Sequence, residues 1–301
     1  MRVLIAGVTG YLGSHLAEAL ADAGHSVEGT SRNPGNRRAI EGVTRMHRWS
    51  TDEPLLAEAI AGTDAIVLLT GESVLGRWTA GKKRKLYDSR VGAARNLVRG
   101  IAASAHKPSV VVGGSAVGYY GDRGEDLLSE DAPSGTDFLA RLTADWEAAI
   151  GEVAGLGVRA VHSRTALVLG KRCTFLRPML PIWRLGLGGR LGSGAQWWPW
   201  VHVDDLTGAL RHAIETPGLR GAVNVVAPGI VRQREFSKAL GRALGRPAFT
   251  WAPAFAIRLV LGEMSNEVLT SKRVQPTVLA HEGYQFAYPS VDRALEDAVG
   301  R

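Results

Sequence analysis

The chain has 301 residues, of which 45% are hydrophobic and 22% are charged, a composition typical of soluble globular proteins. Its 36 basic and 29 acidic residues give a formal net charge of +7, and because no nucleic-acid-binding signature accompanies this charge, we expect an anionic small-molecule ligand and no nucleic acid. No apolar run approaches the ~20 residues of a membrane span, so no membrane partner is expected, and the single cysteine, Cys173, excludes an intramolecular disulfide and indicates a cytoplasmic protein.

Short apolar segments alternate with amphipathic ones along the first half of the chain. The apolar segments predict strands at Arg2–Ala6, Ser26–Thr30, Thr44–Trp49, Ala65–Leu69, Ser109–Val112 and Val158–His162. Between the first two, the four-residue spacing of Leu12, Leu16 and Leu20 predicts a helix. Continuous apolar strands that alternate with helices predict the α/β class, with a doubly wound parallel sheet of the Rossmann type.

After about residue 165 the pattern becomes irregular. We predict a helix at Val203–Glu215, a strand at Val223–Val226 and a helix at Glu235–Leu244. The sequence thus favours a Rossmann domain over residues 1–165, to which a segment near residues 200–228 returns. We expect residues 166–301 to form a smaller C-terminal α/β substrate domain at the carboxyl ends of the strands, where ligands bind in open sheets.

A glycine-rich loop, Gly7-Val8-Thr9-Gly10-Tyr11-Leu12-Gly13, joins the first strand to the first helix. The first two glycines allow a tight turn and close approach to a pyrophosphate, and the third allows the helix to pack on the sheet. The second strand ends in Ser31 and Arg32 rather than in the acid that binds the ribose of NAD. An arginine there suits a 2′-phosphate, so we expect NADP(H); the alternative is a solvated loop arginine.

Later motifs make the chain recognisable. They are Gly71-Glu72, Arg77-Trp78-Thr79, Ser89-Arg90, Ser115-Ala116-Val117-Gly118-Tyr119-Tyr120-Gly121, Trp146-Glu147, Gly186-Leu187-Gly188-Gly189, Gly192-Ser193-Gly194-Ala195-Gln196, Trp200-Val201-His202-Val203-Asp204-Asp205 and Gly262-Glu263-Met264. With the glycine loop, they resemble the "epimerase family protein" group of atypical extended short-chain dehydrogenase/reductases, which carries its own C-terminal domain of unknown function. The resemblance spans essentially the whole chain.

This resemblance implies a set of cofactor contacts. They are Gly7, Thr9, Gly10, Tyr11, Leu12, Gly13, Ser31, Arg32, Leu69, Thr70, Gly71, Lys85, Arg90 and Arg164. Leu69 and Thr70 would lie near the ribose and pyrophosphate, and Arg164 would follow the sixth strand. From the residues alone, Arg90 is as well explained as a solvated arginine on a basic helix.

The usual catalytic pair of short-chain dehydrogenases, Tyr-x-x-x-Lys, is missing. The expected tyrosine falls at Phe138 or Leu139, and the expected lysine at Leu142 or Thr143. The remaining candidates are Ser115, which could polarise a carbonyl, and Tyr119, which could protonate an alkoxide; a role in binding alone is equally favoured for both.

Gln196 and Trp198 are candidate substrate contacts. Sugar-nucleotide epimerases, which the resemblance brings in, place a phosphate-binding arginine where this chain has Trp198. Tryptophans at positions 197, 198 and 200 favour an aromatic or apolar ligand, or else packing between domains. No His, Asp or Glu cluster has metal-ligand spacing, so we expect no metal.

The sequence therefore favours an NADP(H)-dependent oxidoreductase that acts on an unidentified small substrate, as a monomer or homodimer. A non-catalytic NADP(H)-binding regulator or sensor is the alternative, because the Tyr-x-x-x-Lys pair is missing. A sugar-nucleotide epimerase ranks third.

Overall fold

The computed structural model describes residues 1–36 and 39–300. The strands are β1 Arg2–Ala6, β2 Ser26–Ser31, β3 Val43–Arg48, β4 Ala65–Leu68, β5 Val110–Ala116, β6 Leu127–Leu128, β7 Arg159–Thr165, β8 Leu167–Leu169, β9 Gly189–Leu191, β10 Trp197–Trp198, β11 Trp200–His202, β12 Gly221–Val225, β13 Val231–Arg232, β14 Thr250–Ala252 and β15 Arg273–Val274.

The helices lie mainly between the strands of the first half and in the C-terminal half. They are α1 Tyr11–Asp22, α2 Ala57–Ile60, α3 Ala80–Tyr87, α4 Ala93–Ala103, α5 Phe138–Gly151, α6 Leu180–Arg184, α7 Val203–Glu215, α8 Gln233–Leu244, α9 Ala254–Leu261, α10 Asn266–Leu269, α11 Thr277–His281 and α12 Val291–Val299, with a π-helical turn at Asp88–Gly92 between α3 and α4. Among the described residues, no helix is long and apolar enough to cross a membrane.

Within the described ranges, seven parallel strands form one sheet in the order β12-β7-β5-β4-β1-β2-β3. The chain winds outward from β1 to β3 on one side and then from β4 to β12 on the other. The order therefore reverses between β1 and β4, and ligands bind at such a switch point. The predicted doubly wound α/β fold is confirmed.

Helices cover both faces of the sheet. Along β1, Val3 and Ile5 pack into one apolar cluster with α1 and α7, whereas Leu4 packs into another with α4 and α5. This alternation follows from the two-residue period of a strand, and it explains why β1 is apolar throughout rather than at every second residue.

A third apolar cluster lies among the residues that follow β7. Leu169, Trp183, Trp198 and Phe236 are buried there against α12. Short strand pairs, β8 with β11 and β9 with β14, connect this region. The irregular sequence between α6 and α7 thus encodes a packed structure built around tryptophans.

Three strands extend beyond their predicted ends, β2 by the single residue Ser31 and β5 and β7 by more. β5 continues to Ala116 and β7 to Thr165, so Ser115 and Arg164 lie within strands rather than after them. These two residues are register partners in neighbouring strands. Pairing on both sides of β5 outweighs the weak strand preference of Gly113 and Gly114.

Candidate active site

A cleft of about 460 Å³ opens at the carboxyl ends of the strands around the β1/β4 switch point. Its lining combines the glycine loop, the end of β2 and the segments that follow β3 and β4: Gly7, Thr9, Gly10, Thr30, Ser31, Arg32, Trp49, Ser50, Thr51, Asp52, Leu69, Thr70, Gly71, Glu72 and Ser89. We call it the cofactor cleft. It brings together most of the residues that the sequence predicts for the adenosine and pyrophosphate parts of the cofactor.

The glycine loop has the geometry that its pattern predicts. Gly7 has a φ of +97°, and a Cβ there would lie 2.9 Å from the carbonyl carbon of Leu69. No described side chain caps the start of α1, so its first N–H groups keep their capacity to bind an anion. The loop is therefore suited to a phosphate group.

Gly13→Ala tests the packing of this loop against α1. The added Cβ would lie 2.3 Å from the Gly7 carbonyl oxygen and 2.7 Å from Val8 Cα, which are backbone atoms that cannot turn aside. We expect the free energy of unfolding to fall by about 1–3 kcal/mol, measured by urea denaturation. Gly81→Ala in α3 is the matched control, because its Cβ meets nothing within 4 Å. Equal stability of the two variants would contradict the prediction.

Arg90 binds the backbone of the segment after β4, which lines the cofactor cleft. Its Nη2 donates to the carbonyl oxygen of Glu72 (3.0 Å) and its Nη1 to that of Leu86 (3.3 Å). Burial lowers the pKa of Arg90 to about 10, and the charge of Glu72 opposes this shift. A Cβ on Gly71 would lie 3.1 Å from this guanidinium, which explains the glycine there. Arg90 thus holds the segment after β4 in place, and it is not a solvated helix residue.

Arg32 stands exposed at the end of β2, on the rim of the cofactor cleft. Within the described ranges, no hydrogen bond or ion pair holds its guanidinium. Asp52 lies in the same cleft, and its pKa is lowered, chiefly by a hydrogen bond from Ser50 and more weakly by the charge of Arg32. The guanidinium of Arg32 can therefore turn to an anion in the cleft.

The side-chain hydroxyl of Thr70 is a second indication that the cofactor cleft holds a polar ligand. Its Oγ1 is buried in the cofactor cleft and has no hydrogen-bond partner among the described residues. Buried hydroxyls are rarely left unpaired. The residues present thus fit a polar, phosphorylated ligand: a glycine cradle, a helix N-terminus, an arginine and an unpaired hydroxyl.

Ser115, Glu147 and Arg164 form a buried network next to the carboxyl end of β5. Ser115 Oγ donates to Glu147 Oε1 (2.5 Å), and Arg164 donates to both oxygens of that carboxylate through Nε and Nη2 (2.9 Å each). Burial alone would lower the pKa of Arg164. The hydrogen bonds and the Coulomb attraction to Glu147 outweigh this effect, so the pKa of Arg164 is raised. The Ser115 proton therefore points at Glu147 and not at a substrate carbonyl.

Two tyrosines lie next to Arg164. The hydroxyl of Tyr120 accepts from Arg164 Nη1 (3.0 Å) and donates to Asn224 Oδ1 (2.6 Å), so Tyr120 is part of the interior. The ring of Tyr119 is half-buried, and the guanidinium carbon of Arg164 lies 3.5 Å from its centroid. Tyr119 is thus the more accessible phenol beside a fixed cation.

Six predicted cofactor contacts do not line the cofactor cleft: Tyr11, Leu12, Gly13, Lys85, Arg90 and Arg164. The donors of Arg164 are turned towards Glu147, Tyr120 and the carbonyl oxygen of Glu130, because the strand that contains it points the side chain inward. The Tyr11 side chain packs against His15, and its buried hydroxyl is unpaired among the described residues, although its backbone belongs to the glycine loop. Lys85 is exposed on α3 and does not line the cofactor cleft. Leu12 packs on the core beneath α1.

Gln196 and Trp198 are buried rather than presented to a substrate. Gln196 Nε2 donates to the carbonyl oxygens of Leu191 (3.1 Å) and Val268 (3.0 Å), and Trp198 Nε1 also donates to Val268 O (3.1 Å). The ring of Trp198 packs edge-on against Phe236. Both residues therefore pack within the C-terminal region, whereas the alternative that the sequence left open for the tryptophans was packing between domains.

A second, apolar cleft of about 650 Å³ lies beside the first. The segment Val74–Gly76, two residues beyond the cofactor cleft, forms one wall. Residues of α6, β9, β14 and α9 form the others, among them Trp183 and Ile257, together with Met179 before α6 and Met264 after α9. Its charged lining residues among those described are Arg190 and Glu267, and Glu267 lies 3.7 Å from Lys272. We call it the apolar cleft; it suits an uncharged, hydrophobic ligand.

Sequence reasoning missed Glu147 and the apolar cleft. Glu147 belongs to the Trp146-Glu147 motif, and the available signal was an acid on the otherwise apolar face of an amphipathic helix. The apolar cleft combines segments more than 150 residues apart, from Val74 to Met264, and no local pattern marks it. In the part of the chain that the structure describes, no group of His, Cys, Asp or Glu side chains could hold a metal ion.

The parallel sheet with its switch-point cleft and glycine cradle defines a nucleotide-binding protein of the Rossmann class. The model of the NAD dependent epimerase/dehydratase family matches residues 3–226, and that of DUF1731, a domain of unknown function, matches residues 252–298. The chain belongs to the NAD-dependent epimerase/dehydratase family, and it is an NAD(P)-binding protein of the extended short-chain dehydrogenase/reductase type. The resemblance found in its sequence is confirmed.

Individual relatives match over their whole length. The epimerase family protein SDR39U1 of Mus musculus is 36% identical over 304 residues, which cover 99% of this chain and 100% of the relative. The epimerase family protein YfhF of Bacillus subtilis is 32% identical over 300 residues, 99% of this chain and 98% of the relative. The crystal structure of human SDR39U1 (isoform 2) with NADPH is similar with a TM-score of 0.88 and 33% identity, covering 100% of both chains.

Proposed function

We propose that this protein binds NADP(H) in the cofactor cleft and is an oxidoreductase that acts on an apolar carbonyl, enol or imine compound held in the apolar cleft, with reduction of a carbonyl as the proposed reaction. The observation that carries the proposal is the position of Arg32 on the rim of the cofactor cleft, where an NAD-specific site has an acid. The human relative crystallised with NADPH supports it. We assign the cofactor to a domain of residues 1–165 with a returning segment near 200–228, the substrate to residues 166–301, and the protein to the cytoplasm.

The residues present indicate which group would supply the hydride and which the proton. Bound NADPH would supply a hydride, and the protein must supply a proton to the developing alkoxide. Ser115 donates its proton to Glu147, which leaves Tyr119 as the candidate proton donor of the network. Glu147 and Arg164 are positioning residues, because each acts through Ser115 or Tyr119.

Arg32→Ala tests the choice of cofactor. Removing the guanidinium removes a charge-assisted contact to the 2′-phosphate, which is absent from NADH. We expect the dissociation constant for NADPH to rise ~10-fold or more, corresponding to about 1.5–3 kcal/mol for a hydrogen bond to a charged group. The dissociation constant for NADH should stay the same. Fluorescence titration of both cofactors measures the two values.

Arg45→Ala is the matched control, because Arg45 is an exposed arginine on the next strand, outside the cofactor cleft. It should leave both dissociation constants unchanged. Equal weakening of NADPH and NADH in Arg32→Ala would contradict the assignment of the 2′-phosphate to Arg32.

A second candidate function is a non-catalytic NADP(H) sensor. The observation in its favour is that helix α5 places Leu142 and Thr143 where the usual lysine stands, and both are buried. NADPH oxidation against a panel of ketones and enones separates the two functions: total inactivity with tight NADPH binding favours the sensor. A sugar-nucleotide epimerase is the weakest candidate, since the lining of the apolar cleft offers little for a diphosphate.

A further inference from the structure

Exposed hydrophobic side chains concentrate on one part of the surface. Of the twelve large hydrophobic residues that are exposed in the described part of the chain, eight belong to two segments, residues 171–196 and 245–262. These eight are between 54% and 77% exposed. Five of them stand outside the apolar cleft: Leu185, Phe249, Trp251, Phe255 and Leu259. A ligand inside the cleft would leave these five uncovered.

The same two segments are strongly basic. They contain seven of the 36 Lys and Arg residues and none of the 29 Asp and Glu residues, which gives them a formal charge of +7. The nearest acids in the following sequence are neutralised: Glu263 pairs with Lys83 (2.6 Å), and Glu267 lies 3.7 Å from Lys272. Hydrophobic and basic character therefore coincide.

The two segments form one continuous surface. β14 pairs in parallel with β9, so Trp251 lies beside Arg190, whose guanidinium carbon is 5.4 Å from the Trp251 ring centroid. The hydroxyl of Thr250 donates to the carbonyl oxygen of Leu187 (2.8 Å). We call this the α6–α9 surface. Large exposed apolar patches on folded proteins mark interaction sites.

The charge pattern decides what covers this surface. In a symmetric pair of chains the same patch meets itself, so arginines would face arginines with no acid in either segment to compensate. An anionic lipid surface satisfies both features, because its phosphates attract the arginines and its acyl region accepts the hydrophobic side chains. A small amphiphile cannot cover side chains spread over both segments.

We propose that the α6–α9 surface docks this protein on anionic membranes, with the apolar cleft opening towards the lipid. Phe255 and Leu259 are four residues apart on α9, so they project from the same side of the helix, with Arg258 exposed next to them. Ile182, Leu187 and Val260 line the cleft and are also exposed, so the mouth of the cleft lies on this surface. An apolar substrate would thus enter from the bilayer. The proposal departs from the expectation of no membrane partner, which rested on the lack of a membrane-spanning run in the sequence; surface docking needs no such run.

The test measures binding of the full chain to vesicles. Sucrose-loaded vesicles of phosphatidylcholine with phosphatidylglycerol should sediment the protein, and vesicles of phosphatidylcholine alone should sediment much less. The double variant Phe255→Ser, Leu259→Ser should bind the anionic vesicles at least ~10-fold more weakly, because it removes two large hydrophobic side chains from the docking surface. Leu56→Ser with Leu127→Ser is the matched control, because both leucines are exposed outside the surface.

A charge variant separates electrostatic from hydrophobic attraction. Arg246→Glu with Arg258→Glu should lower affinity for anionic vesicles, and added salt should weaken the wild-type protein in the same way. NADPH titration and thermal unfolding check that every variant is folded, independently of lipid. Three outcomes would overturn the proposal: no sedimentation with anionic vesicles, equal binding by wild-type and both surface variants, or a wild-type dimer that only the surface variants dissociate.

Discussion

Glu147→Ala is expected to lower the free energy of unfolding by about 3–5 kcal/mol, the usual cost of leaving a buried charge without its partner. The side chain of Arg164 is 5% exposed, and Glu147 accepts two of its hydrogen bonds at 2.9 Å. Without this carboxylate, the buried guanidinium keeps its desolvation cost and loses its main compensation. Ser115 also loses its acceptor. Urea denaturation followed by circular dichroism measures the change.

Glu125→Ala is the matched control, because Glu125 also accepts two hydrogen bonds from one arginine, Arg232, at 3.0 Å each. That pair lies at the surface, where solvent already screens the charges and the free energy gained is small, so its loss should cost at most ~1 kcal/mol. Glu147→Gln should fall between the two, since the amide keeps one oxygen acceptor. If Glu147→Ala and Glu125→Ala lower the free energy of unfolding by similar amounts, burial of the Glu147–Arg164 pair does not increase its contribution to stability.

The parts of the fold that sequence predicted well are those with a strong local pattern. The bounds of β1 and α7 agree residue for residue with the prediction, since an uninterrupted apolar run and the aspartates at a helix start are both local signals. The glycine loop was equally clear, because steric demands at Gly7 and Gly13 leave only glycine possible. The cofactor cleft therefore followed from short stretches of sequence.

The parts that sequence could not supply depend on distant contacts. Trp198 is buried by Phe236, and Gln196 bonds to Val268, 72 residues away, so an exposed aromatic loop and a packed core have the same local sequence. Arg164 resembled a cofactor contact, but only the neighbouring helix shows that Glu147 takes its hydrogen bonds. Periodicity describes one element at a time and does not show which charges meet.

The same distinction governs the chemistry. A motif search finds the Tyr-x-x-x-Lys pair missing, and it does not show what takes its place. The structure brings Ser115, Glu147, Arg164 and Tyr119 together from two strands, a helix and a short 3₁₀ turn. In this network the cation comes from β7 instead of the catalytic helix. The guanidinium of Arg164 lies over the ring of Tyr119, whereas the lysine of the Tyr-x-x-x-Lys pair lies one helical turn from the tyrosine.

Tyr119→Phe is the decisive test of that network. If Tyr119 delivers the proton, its removal should lower kcat ~100-fold to ~10,000-fold, the range for loss of a general acid, and leave the dissociation constant of NADPH unchanged. The ring would keep its packing under Arg164, so stability should change little. NADPH oxidation with a substrate found in the carbonyl panel measures kcat, and fluorescence titration measures NADPH binding.

Tyr120→Phe distinguishes catalysis from structure. Its hydroxyl bonds Arg164 and Asn224 in the interior, so its loss should cost about 1–3 kcal/mol of stability while kcat stays near that of the wild-type protein. The hydroxyl of Tyr119 would then determine kcat, and that of the adjacent Tyr120 would contribute to stability. If kcat is unchanged in Tyr119→Phe, proton transfer does not pass through this phenol, and the cation over its ring serves packing alone.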